Sequence, residues 1–111
     1  MDLLMRDTIA ACATAPGAAG IAVIRISGSR AEEILGQVFT PRSHQGKMEH
    51  GRLYLGTLHD GEKDIDECMA VVMRAPKSYT RQDVAEIQLH GSAYSVTACL
   101  NALTAAGARP A

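Results

Sequence analysis

Residues 20–28 read GIAVIRISG, and their alternation decides the fold. On an extended chain Ala22, Ile24 and Ile26 fall on one face, while Val23, Arg25 and Ser27 fall on the other. A β-branched run of this length between two glycines specifies a strand, not a helix. Arg25 is the exception within it: a guanidinium on a central strand needs an anion or several acceptors, because an unpaired buried charge costs several kcal/mol. Two readings are open. Arg25 forms an internal ion pair, with Glu86 as a partner, or its stem reaches out at the sheet edge. Alternatively Arg25 and Glu86 line a cleft, as donor and acceptor for a polar heterocyclic ligand.

Upstream, DTIAACAT (7–14) is a second β-type run, joined to the first by APGAAG (15–20), whose Pro16, Gly17 and Gly20 mark a loop. Downstream, Ser29 and Glu32 have capping-box spacing and predict a short helix facing inward through Ile34, Leu35 and Val38. From Thr40 to Gly51 the chain is polar and aperiodic, an exposed connection. RLYLGTLH (52–59) and IDECMAVVMR (65–74) flank DGEKD and predict a hairpin turning at Asp60-Gly61. VAEIQLH (84–90) alternates again, with Val84, Glu86, Gln88 and His90 opposite Ala85, Ile87 and Leu89. Residues 93–106 place Val96, Cys99, Leu100 and Leu103 on one helical stripe that ends at Gly107, a residue suited to C′. The expected architecture is α+β: a mixed sheet of about five strands, in the order β, β, α, β, β, β, α, with helices packed on one face.

The 111 residues suit one domain with one core. That core must be aliphatic, since the chain holds one Phe, three Tyr and no Trp. A formal charge of -1 gives no overall field toward nucleic acid or anionic lipid, so any RNA contact would be local or made elsewhere. Arg6, Arg30, Arg42 and Arg52 are scattered among carboxylates without alternating aromatics. Three widely spaced cysteines in apolar segments fit reduced thiols and a cytoplasmic address, and no run has transmembrane length. No metal site is expected, for the histidines and cysteines show neither HExxH nor CxxC spacing. GxGxxG and GxxxxGK[ST] are both missing, and no nucleophile-elbow motif gathers Ser, His and Asp, so no catalytic residue is nominated.

DTIAACATAPGAAGIAVIRISG, PKSYTRQDVAEIQLHG and the terminal GARPA together resemble, in order and with natural spacing, the N-terminal domain of the tRNA modification GTPases of the MnmE (TrmE) family. The resemblance implies a fold similar to the folate-binding domain of the glycine cleavage T-protein. It also implies one tetrahydrofolate-binding and homodimerising domain over residues 1–111, the N-terminal fragment of a longer GTPase. By motif matching, the family's folate-contacting arginine falls on Arg25 and its glutamate on Glu86; the expected ligand is 5-formyltetrahydrofolate or a related one-carbon tetrahydrofolate. A pterin offers adjacent N–H donors to a carboxylate, and a guanidinium suits a ligand carbonyl or carboxylate.

GTP, Mg and K would belong only to the family's GTPase domain, which these residues lack. The partners implied are an identical subunit, the FAD-dependent MnmG protein and tRNA modified at its wobble uridine, with no membrane. The chain departs from the family's PGRGGI, SFTGED and HGG at PGAAGI, SYTRQD and HGS, which bears on Ala18, Arg81 and the loops at 16–20 and 78–83. Two other expectations stand beside this one. A stand-alone one-carbon transferase like the T-protein would need a catalytic carboxylate, and no motif raises Asp64, Asp66 or Glu67 above a plain hairpin role. A purely structural dimerisation cap would need no ligand at all.

Overall fold

The computed structural model describes residues 7–14, 20–75 and 82–111. The expectations for most of the APGAAG loop, Ala18, Arg81 and Arg6 lie outside the described residues. Nine elements follow one another: β1 (Ile9–Cys12), β2 (Ile21–Ser27), α1 (Ala31–Val38), β3 (Phe39–Pro41), β4 (Tyr54–His59), β5 (Asp64–Met73), β6 (Val84–His90), α2 (Ala93–Ala105) and β7 (Arg109–Pro110). The strands form one sheet in the order β3-β4-β5-β6-β2-β1-β7. Every pairing is antiparallel except β1 with β7, so the sheet is mixed, as expected.

Seven strands replace the expected five. The two additions, β3 and β7, are the outermost strands and are three and two residues long. Each holds a proline, Pro41 or Pro110, which lacks the N–H a central strand must donate. Edges so short and so poor in donors resist pairing with a further chain, and they carry too few residues to show a period of two.

Both helices lie on the same face of the sheet, and this is where the core sits. Ala22, Ile24 and Ile26 of β2 point into it beside Ala85, Ile87 and Leu89 of β6 and Ala70 and Val72 of β5. Ile34, Leu35 and Val38 of α1 and Cys99, Ala102 and Leu103 of α2 close it from above. The alternation read in GIAVIRISG is therefore a true inside and outside.

The expected capping box at Ser29 and Glu32 does not form. Arg30 is the N-cap of α1, and no side chain caps it. The Arg30 amide donates instead to Oγ1 of Thr8, at 3.0 Å. Glu32 turns to Arg74, 42 residues further along the chain, accepting from Nε at 2.8 Å and Nη2 at 2.7 Å. A two-pronged charge-assisted pair outweighs the neutral amide contact of a capping box. At α2 the local signals prevail. Ser92 caps the start by accepting from the Ser95 amide, and at the end Gly107 N–H donates to Thr104 and Ala108 N–H to Leu103, a Schellman motif. Gly107 has φ +120, the left-handed geometry that this motif requires.

The β4–β5 hairpin turns where expected. Asp60 Oδ1 accepts the amides of Glu62 and Lys63 at 2.9 and 3.0 Å, and the register shifts between Leu58 and His59. Those two amides hold the Asp60 carboxyl below its ordinary range.

Candidate functional site

With the helices on one face, the odd-numbered residues of β2 and the even-numbered ones of β6 emerge on the other. Register puts Arg25 directly opposite Glu86, with Ala11 beyond Arg25 on β1 and Val71 beyond Glu86 on β5. The next row reads Val23, Gln88, Met69 and Leu55 across β2, β6, β5 and β4. Ile21 pairs with His90 at the end of the same face. Ile21 and Leu55 are exposed, so this surface mixes polar groups with apolar side chains.

Arg25 and Glu86, 61 residues apart in sequence, meet side chain to side chain. Nε and Nη2 of Arg25 both donate to Oε2 of Glu86, at 2.9 and 2.7 Å. Among the described residues, Nη1 of Arg25 and Oε1 of Glu86 have no hydrogen-bond partner. The arginine side chain is 50% exposed and the glutamate 17%. A half-exposed pair is screened by water, so its contribution to stability is about 0.2–1 kcal/mol. The contact satisfies the ion-pair reading of Arg25 and leaves Nη1 and Oε1 outside it.

A second constellation was not singled out from the sequence. His90 Nδ1 lies 2.8 and 3.0 Å from the two carboxylate oxygens of Asp66, and the His90 amide donates to Asp66 Oδ2 at 3.3 Å. Asp66 also accepts the Glu67 amide and is 15% exposed, whereas the His90 side chain is 73% exposed. The carboxylate fixes Nδ1 as the donor, and Nε2 is the atom offered outward. The only sequence signal was the two-residue spacing of Glu86, Gln88 and His90; nothing local ties Asp66 to His90, 24 residues later. Asp64 and Glu67 are exposed on the hairpin, and Glu67 pairs with Arg42.

Clefts lined by described residues lie elsewhere. One of about 420 Å³ runs between α2 and the hairpin, beside Tyr94 and Lys63. One of about 240 Å³ sits between Leu35, Phe39 and Met48. Another, of about 210 Å³, lies by Arg52 and Tyr54. No group of His, Cys, Asp and Glu among the described residues is arranged to hold a metal ion. No helix among them is long and apolar enough to cross a membrane.

Fold and site define an α+β domain with one face sealed by helices and one face carrying polar side chains in register. Residues 8–111 match the family model described as the GTP-binding protein TrmE N-terminus, and the chain belongs to that family. It is 48% identical over 104 residues to the tRNA modification GTPase MnmE of Syntrophotalea carbinolica, covering 93% of this chain and 23% of that protein. It is 41% identical over 109 residues to the MnmE of Chlamydia abortus, covering 98% and 24%. Against the MnmE of Geobacter metallireducens it is 42% identical over 111 residues, again covering 98% and 24%. The chain thus spans about a quarter of the length of these curated relatives.

Proposed function

We propose that this domain binds a one-carbon tetrahydrofolate, 5-formyltetrahydrofolate or a close relative, through Arg25 and Glu86 on the open sheet face. The observation that carries the reading is the meeting of these two residues across β2 and β6, with Nη1 of Arg25 and Oε1 of Glu86 outside their contact. Oε1 of Glu86 suits the paired N–H groups of a pteridine, and Nη1 of Arg25 suits a ligand oxygen. The apolar side chains of Val23, Met69 and Leu55 would lie against the ligand's rings.

The folate would supply the carbon; the domain would supply its position and the exclusion of water. In a protein of the relatives' full length, the same reading makes this a homodimerising N-terminal module. It would serve a GTPase that works in the cytoplasm with an FAD-dependent partner on the wobble uridine of tRNA. GTP would be held outside these residues, which contain no GxxxxGK[ST] motif.

Calorimetric titration of 5-formyltetrahydrofolate into the protein, beside Arg25→Ala and Glu86→Ala, tests the ligand. Saturable binding by the unaltered chain and loss of at least about tenfold in each variant are expected. Equal binding by all three proteins would remove Arg25 and Glu86 from the site. The direct Arg25–Glu86 contact favours one rival, a structural cap whose ion pair is complete in itself. That rival predicts a dimer in sedimentation whose melting temperature folate leaves unmoved.

A further inference from the structure

The Asp66–His90 pair closes the end of β6: Asp66 accepts the His90 amide where pairing with β5 has stopped at Gln88, and its contact with the ring goes beyond that task. It lies at the end of β6 with its imidazole largely in water, where an ion pair or hydrogen bond adds little to stability. Its position is the informative feature. β6 pairs in unbroken register with β2 from Val84 to His90, and with β5 from Val84 to Gln88, so Glu86, Gln88 and His90 share one side of the strand. Four residues of strand separate Glu86 from His90, a span of about 13 Å. Val23 and Met69 flank the middle of that line, opposite Gln88 on either side. The result is a shelf with a polar group at each end and, between them, Gln88 flanked by two apolar side chains.

We infer that His90, oriented by Asp66, is the second anchor of the ligand gripped by Arg25 and Glu86, and that it contacts the aminobenzoyl-glutamate arm of a tetrahydrofolate. The inference rests on the folate reading above and adds to it the far end of the site. A pteridine held at Glu86 directs its arm along β6 or away from it, and only the first course meets a side chain with a fixed, outward ring nitrogen. With Nδ1–H donating to Asp66, Nε2 is the acceptor of that tautomer, matched to the amide N–H that joins the aminobenzoyl ring to glutamate. Asp66 is a positioning residue here, since it touches His90 and not the ligand. Glu67, the chain neighbour of Asp66, has its charge engaged by Arg42.

The test compares two compounds on the same proteins by calorimetry: 5-formyltetrahydrofolate, and a methyltetrahydropterin that lacks the aminobenzoyl-glutamate arm. His90→Phe is expected to weaken the folate about tenfold and leave the pterin unchanged, whereas Arg25→Ala weakens both. His90→Gln keeps an acceptor and should recover part of the loss. Asp66→Ala, which frees the ring, should fall between His90→Phe and the unaltered chain. If His90→Phe binds the folate as the unaltered chain does while Arg25→Ala does not, the anchor is wrong and the folate reading stands. If the unaltered chain binds neither compound, the folate reading falls and the anchor falls with it. Thermal unfolding of each variant confirms that a lost affinity is not a lost fold.

Discussion

Arg25 shows how little a contact reveals until its exposure is known. Sealed in the core, the same guanidinium would cost several kcal/mol if it lost its partner; half in water, its bond to Glu86 adds little to folding. Arg25→Ala should therefore change the urea unfolding free energy by less than about 1 kcal/mol while removing ligand binding, a separation that only a surface site permits. Glu32 is the contrasting case. Hydrogen bonds from Arg74 hold its carboxyl below the ordinary range against the opposing pull of burial. A carboxyl depressed in the folded state contributes stability that is present above its unfolded pKa and lost as pH falls through the folded value. Urea midpoints measured from about pH 7 to about pH 3 should fall more steeply for the unaltered chain than for Glu32→Gln, with the difference appearing below about pH 4.3.

At the scale of elements, two glycines at connections differ in how far they can be replaced. Gly28, between β2 and α1, has φ +139, and a Cβ there would lie 2.5 Å from the Asp7 carbonyl oxygen and 2.6 Å from the Thr8 Cα. Both obstacles are backbone, so Gly28→Ala should lower the unfolding free energy by more than about 3 kcal/mol. At Gly107 the nearest obstacle is the end of the Arg30 side chain, which can swing away. Gly107→Ala should therefore cost only about 1 kcal/mol, mostly from its positive φ. Denaturation of the two variants side by side checks the order. The sequence marked Gly107 from its place after a helical stripe. It gave Gly28 no special standing, because the chain that crowds it comes from twenty residues upstream.

At the scale of the whole molecule, the aliphatic core expected from a chain with no Trp is what forms, and it encloses two of the three thiols. Burial pushes the Cys68 and Cys99 thiols up to about 12. At about pH 8 neither supplies thiolate, so alkylation of the folded chain should stop at Cys12, which is only partly buried. Mass spectrometry should show one label before unfolding and three after it. The sign of the pH effect is opposite to that of Glu32: a thiol raised in the folded state favours folding below its unfolded value of about 9, and stability drains away as pH climbs from there toward 12.

Alternation along a strand is a local property, so the inward residues of β2 and β6, the inner face of α1, the α+β class and the site of the hairpin turn were all written in the amino-acid order; of the stripe expected on α2, Cys99 and Leu103 are buried, while Ser95 and Ala102 take the places of Val96 and Leu100, which are only partly buried. The motifs carrying the family resemblance were legible for the same reason. Which strands become neighbours is not local. Only the folded sheet brought Arg25 to Glu86 and Asp66 to His90, drew Glu32 from a capping box to Arg74, and added β3 and β7 at the edges. Each of those outcomes depends on a partner distant in the chain, whose free energy exceeds the weak local preference it displaces.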